Sequence, residues 1–224
     1  MSRRQHNALI MLARYPRPGR VKSRLAATMG EEMAAKVARL CAERLFVESN
    51  RLPPSVRRYL FFADPDDARA MRRWAGDDFR LQPQVSGDFG GRMADALRTA
   101  FDEGAHKAVI VGSDIPDISA SLLQQAFTLL DHYPLVLGPD RGGGYYLLGM
   151  KMLYADLFLR DVTWGTNRVL AQTLRIMEAL ELVPAFLPAL IDIDTEGDAR
   201  LWLRSREPQS GQRLEQYLRR QLEM

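Results

Sequence analysis

An α/β fold with a mainly parallel sheet is predicted by three observations. Short apolar runs alternate with longer stretches of helical period, glycine or proline bounds two of the runs, and the 224-residue chain is 46% apolar. Alternation of this kind builds βαβ units, in which each crossover helix returns the chain to a parallel neighbour. The length suits one domain, residues 1–224, with 207–224 as a C-terminal helical tail.

The first strand is Ala8 to Leu12, and Arg58 to Phe62, Ala108 to Val111 and Leu135 to Leu137 are the next apolar runs of strand length. Between them, Glu31 to Ser49 carries Met33, Val37, Leu40 and Leu45 on one helical stripe. Asp66 to Trp74, Arg92 to Glu103 and Ser119 to Leu130 are the other crossover helices. Tyr145 to Met150 follows Leu135 to Leu137 by too few residues for a helical crossover, so it pairs antiparallel across the glycine-rich loop. Thr166 to Leu180 is then a helix, Val183 to Leu187 a strand and Thr195 to Arg204 a helix. Gln209 to Gly211 is a polar break, after which Leu214, Tyr217, Leu218 and Leu222 form an amphipathic stripe. That stripe packs on its own domain or on a second copy in a homodimer.

Charge is local. The formal net charge is +3, yet the first thirty residues hold seven Lys or Arg and no acid, which leaves the rest of the chain net acidic. Two prolines and a glycine interrupt the basic stretch and a packed pattern follows it, which argues against a nucleic-acid arm. The single cysteine, Cys41, sits on an apolar helical face, so a disulfide framework is excluded and a reducing cytoplasm is the expected compartment. No apolar run is long enough to span a bilayer, and no secretory signal is read at the start.

Five of the eleven residues from Arg14 to Arg24 are basic, in the connection between the first strand and the first helical pattern. Such loops bind anions in α/β proteins. Gly19 permits a turn, Pro16 and Pro18 stiffen the segment, and Lys22 and Arg24 project from its end toward a phosphate. The alternative is a solvated surface loop. Asp114 ends an apolar strand at the edge where ligands sit, and one carboxylate suffices for a phosphate-bound magnesium ion; otherwise it opens a turn into the next helix.

Gly142, Gly143 and Gly144 give a backbone that a ligand can approach closely, or a wide hairpin loop. Asp140 before them acts on an acceptor or pairs with Arg141 in solvent. Gly87 and Arg92 flank a helix start that would meet a base or a diphosphate. Asp192 and Asp194 precede the Thr195 helix as metal ligands or caps, and Thr195 with Asp198 matches a capping box. The three histidines lie in unlike contexts, and no nucleophile elbow, zinc spacing or P-loop occurs.

These segments in order resemble the bacterial family DUF2064, related to nucleotide-diphospho-sugar transferases and often labelled as glycosyltransferases of the arsenosugar-biosynthesis type. The resemblance runs through Pro16 to Leu25, Gly87 to Met93, Gly112 to Pro116, Gly138-Pro139, Gly143 to Tyr146, Trp164-Gly165-Thr166 and Asp192 to Thr195. It implies a GT-A fold: a three-layer α/β/α sandwich with a mostly parallel sheet and an antiparallel strand near the acceptor side. It also implies a nucleotide or nucleotide-sugar donor at Ala13, Arg14, Gly19, Lys22 and Arg24, a small-molecule acceptor, and Mg2+ or Mn2+ at Asp114.

Distant relatives include guanylyltransferases for phospholactate and for molybdenum cofactor, so the donor is split at either of two bonds. The expected activity is glycosyl transfer, with nucleotidyl transfer or nucleotide binding without turnover as alternatives. The family pattern has Lys at Arg14, Thr at Ser23, Ser at Gly165 and Asp at Gly142. The last difference removes a carboxylate and leaves Asp140 as the substitute base, alongside Asp114 and Lys22 in the catalytic set.

Overall fold

The computed structural model describes residues 6–159, 162–205 and 213–223. The polar break at Gln209 to Gly211 lies outside them. A seven-stranded sheet forms the centre, built from β1 (His6–Ala13), β2 (Val56–Phe62), β3 (Arg80–Pro83), β4 (Ala105–Gly112), β5 (Leu135–Pro139), β6 (Tyr145–Met150) and β7 (Pro184–Phe186). Their order is β3-β2-β1-β4-β6-β5-β7. All pairings are parallel except those of β6, which runs antiparallel to both β4 and β5.

The central strands are apolar on both faces because helices cover both. Along β1, Leu9, Met11 and Ala13 enter one core, while Ala8 and Ile10 enter the other. The helices are α1 (Ser23–Met29), α2 (Glu31–Asn50), α3 (Ala68–Ala75), α4 (Phe89–Asp102), α5 (Ala120–His132), α6 (Asp156–Leu159), α7 (Val169–Ala179), α8 (Glu196–Arg204) and α9 (Arg213–Gln221). Residues of α2, α3 and α5 build the first core, and those of α4, α6 and α7 the second. This is a three-layer α/β/α sandwich whose mostly parallel sheet carries one antiparallel strand.

A third cluster joins Leu25 of α1, Val37 and Cys41 of α2 and Trp202 of α8 to Leu214, Leu218 and Leu222 of the tail. The apolar stripe of α9 is therefore buried on its own chain. Three elements differ from the sequence expectation. The chain is already helical from Ser23, β3 adds an edge strand of mainly polar sequence, and the four-residue α6 follows the hairpin. Among the described residues no helix is long and apolar enough to cross a membrane.

Topology positions the site. The chain leaves β1 for β2 and β3 on one side and returns to β4 on the other, so the loops after β1 and β4 diverge and open a crevice between them.

Candidate functional site

The loop after β1 is fixed by its own backbone before any ligand is considered. Gly19 takes a φ of +72°, and a Cβ there would stand 3.0 Å from the Glu31 carboxylate. The Arg14 guanidinium donates to the Arg20 carbonyl at 3.2 Å. Lys22 closes the loop in the left-handed region, φ 47°, an uncommon conformation for a residue with a side chain.

That conformation sends the Lys22 side chain inward rather than toward solvent. Only 4% exposed, its Nζ lies 2.7 Å from Asp114 Oδ1 and also donates to the Ile193 carbonyl. Burial opposes its charge, but Asp114 and Asp192 outweigh that penalty and hold the ammonium above its usual range. Cys41 lies close enough to feel Lys22, yet burial pushes its thiol up to about 12, so it stays protonated as part of the core.

The segment after β7 brings the remaining carboxylates. Its backbone runs beside β5, with Leu190 bonded to Pro139 and Arg141, and the Ile193 amide donates to the Asp114 carbonyl at 3.3 Å. Asp192 is thereby set beside Asp114. Burial, then the Asp114 carboxylate, and more weakly Asp194 and Asp140, push the Asp192 carboxyl up to about 8, against the opposing pull of Lys22. Asp194 pairs with Arg24. Arg24 thus bonds a carboxylate 170 positions away instead of extending from the basic loop.

Two clefts meet at Asp114 and Phe89. The first, about 430 Å3, is lined by Ala13, Arg14, Gly19, Arg20, Lys22, Gln84 and Arg92, with Asp114 as the one acid among its described lining residues. The Arg92 Nε is buried without a hydrogen-bond partner. The second, about 480 Å3, is lined by Arg24, Asp140, Gly142, Gly144, Tyr145, Trp164, Asp192 and Asp194 among others. Trp164 presents an edge contact to Phe89 at 5.7 Å and to Tyr145 at 6.5 Å, which makes an aromatic wall.

Asp140 organises the glycine loop: its Oδ1 accepts from Gly142 N at 2.6 Å and from Gly144 N at 2.9 Å. Gly143 lines neither cleft. It takes a φ of +90°, and a Cβ there would strike the Asn167 carbonyl at 2.2 Å, so its role is to let two loops touch. Gly87 likewise lines neither cleft, and Asp88 beside it caps α4 through Gly91 N at 2.7 Å. Thr195 and Asp198 form the capping box of α8. Thr166 is not the cap of α7, which begins after Arg168; its hydroxyl donates to the Thr163 carbonyl and accepts from Arg168 N.

Sequence reasoning missed Phe89, Gln84 and the aromatic use of Trp164. Gln84 donates to the Phe61 carbonyl at 2.9 Å, a contact without a local sequence signal. Phe89 had one, since it stands directly before a glycine pair at a helix start.

Among the described residues no three His, Cys, Asp or Glu side chains gather as a metal site. The donor set near Asp114 nonetheless suits a hard cation. Asp192 Oδ1 is buried with no hydrogen-bond partner, and magnesium commonly takes one or two protein carboxylates and completes its shell with phosphates and water.

The family model described as an uncharacterized protein conserved in bacteria, DUF2064, matches residues 47–166. The chain belongs to this family. A solved structure of a candidate nucleotide-diphospho-sugar transferase from Desulfovibrio desulfuricans G20 superposes with a TM-score of 0.88 and 30% identity, over 96% of this chain and 94% of that one. A 4-diphosphocytidyl-2C-methyl-D-erythritol synthase from Anaerococcus prevotii shares the fold at a TM-score of 0.58 and 11% identity, over 89% and 99% of the two chains. A 2-phospho-L-lactate guanylyltransferase from Methanocaldococcus vulcanius is 33% identical over 60 residues, which span 26% of this DUF2064 chain and 27% of that enzyme.

Proposed function

We propose that the chain is a transferase for a nucleotide-activated donor, and that it moves a glycosyl group from a nucleoside-diphosphate sugar to a small acceptor. The observation that carries this reading is the Lys22 ammonium, nearly buried at the junction of a cationic cleft and a second cleft of similar size. Arg14, Arg20, Lys22 and Arg92 suit a diphosphate in the first cleft. A fixed cation at its inner end stabilises charge that grows on the leaving diphosphate, and it costs no reorganisation during the reaction.

The acceptor then occupies the second cleft, where Asp140 is the assigned base for its hydroxyl. Asp114 and Asp192 are the assigned holders of a magnesium or manganese ion, with Asp194 alongside. When bound, that ion supplies positive charge to the phosphate oxygens of the donor.

Nucleotidyl transfer is the second reading, favoured by the 60-residue match to a guanylyltransferase. It would seat a triphosphate in the same cationic cleft. Its nucleophile, a phosphate, arrives ionised and tolerates Gly142 without a replacement base.

Thermal shifts with nucleoside triphosphates and nucleotide sugars, with and without magnesium, test the proposal. Stabilisation by sugar nucleotides supports glycosyl transfer, and stabilisation confined to triphosphates replaces it with the second reading. Asp114→Asn should cut turnover at least a hundredfold and leave the fold intact. Normal turnover in that variant removes Asp114 from the mechanism.

A further inference from the structure

The two joined clefts differ in sign, and the difference bears on what the second one accepts; the inference rests on the transfer reading above. The first cleft sets four cationic side chains against Asp114. The second sets Asp114, Asp140, Asp192, Asp194 and Asp198 against Arg24 and Arg141. Arg24 is engaged by Asp194, so the exposed Arg141 is the one cation lining this cleft that no carboxylate holds among the described residues. A cation on Asp114 and Asp192 would be matched by the diphosphate of the donor and Asp194 is matched by Arg24, which leaves an acceptor facing Asp140 and Asp198.

Backbone amides do not make up the deficit. The α7 start borders this cleft, and helix starts ordinarily attract anions. Here Arg168 N bonds the Thr166 hydroxyl, Val169 N the Thr166 carbonyl and Leu170 N the Gly143 carbonyl, so the first amides are occupied by the protein itself. The same cleft is also lined by the wall of Phe89, 42% exposed, with Trp164 and Tyr145. Aromatic faces attract cations and the apolar faces of rings, whereas like charges placed opposite each other reject a ligand.

We infer that the acceptor is a hydroxyl- or amine-bearing molecule without phosphate or carboxylate, lying with an apolar face against Phe89 and Trp164. Equilibrium dialysis of the full chain tests this, with magnesium and GDP or UDP in the chamber. The probes are an equimolar set of glucose, glucosamine, ribose and the phosphate esters of each, read by mass spectrometry. The neutral and amino compounds should be retained at least tenfold over their esters. Trp164→Ala should abolish that retention and Trp164→Phe should keep it, with nucleotide retention in both variants as the check on folding. Asn167→Lys, which adds a cation to the same wall, should shift retention toward the esters.

Preferred retention of esters, equal retention of both classes, or retention of none while nucleotide is held overturns the inference and leaves the donor cleft standing. Failure of the nucleotide itself to be retained overturns the transfer reading and this inference with it.

Discussion

The indole of Trp164 closes directly over Gly90, so that a Cβ on that glycine would stand 2.5 Å from Nε1 and 2.7 Å from the Phe158 carbonyl. Gly90 lies in the first turn of α4, beside Phe89, which lines both clefts. The contact therefore ties the start of α4, beside the shared Phe89, to the Trp164 side chain of the second cleft.

Gly90→Ala should displace the indole. A methyl in that space costs about 1–3 kcal/mol in the manner of an overpacked core, even though alanine is the better helix former. Thermal melts should show the loss, and tryptophan fluorescence should report a changed environment. Unchanged melting with unchanged emission would mean that Trp164 yields freely and that the two clefts are not coupled here.

Lys22→Met separates the structural from the catalytic use of the ammonium. Removing it leaves the Asp114 carboxylate without its ion-pair partner, beside an Asp192 carboxyl that then holds its proton more firmly. Because Asp114 is 41% exposed, water absorbs part of the penalty, and about 2 kcal/mol of destabilisation is expected. Donor affinity should fall and lose part of its salt dependence. Isothermal titration at two ionic strengths measures both, and an unaltered salt slope would remove Lys22 from the phosphate site.

Much of this arrangement is legible in the sequence wherever burial is two-sided. β1, β4 and β6 are apolar on both faces, so their residues form continuous runs, and the hairpin follows from the short spacing between β5 and β6. β3 escapes because Arg80, Leu81, Gln82 and Pro83 pair on one side only, at the sheet edge, and leave no alternation to read. The basic loop and the Asp114 strand tip are visible as local motifs, and their convergence follows from the crossover topology. The Arg24–Asp194 pair and the bond from Leu170 N at the start of α7 to the Gly143 carbonyl depend on partners far away in sequence, which no local pattern encodes.

Asp192 should make stability depend on pH. Its carboxyl titrates near 8 in the fold and near 3.9 when unfolded, so between about pH 4 and 8 the folded state binds the extra proton. That contribution to stability is present at the acid end of the window and is lost as pH rises through 8. In metal-free protein, the fall in stability from pH 5 to pH 8 should be shallower in Asp192→Asn than in the wild type. Chemical denaturation at a series of pH values in EDTA makes the comparison, and identical slopes would show that Asp192 ionises as an ordinary carboxylate. Added magnesium should restore the most stability at pH 8, where a cation has the least competition from the proton.

Asp140 has two duties that one substitution can separate. Its Oδ1 holds the amides of Gly142 and Gly144, and its side chain faces the second cleft. Asparagine keeps an oxygen able to accept both amides but cannot take a proton from an acceptor. Asp140→Asn should therefore melt within about 0.5 kcal/mol of the wild type while turnover falls about a hundredfold, the scale of a lost general base. Asp140→Ala should also release the loop, at a cost of about 1–2 kcal/mol for two unmet amides beside solvent. If Asp140→Asn keeps full turnover and only the alanine variant loses it, the carboxylate is a loop brace alone, and the glycosyl reading loses its base while nucleotidyl transfer, which needs none, gains ground.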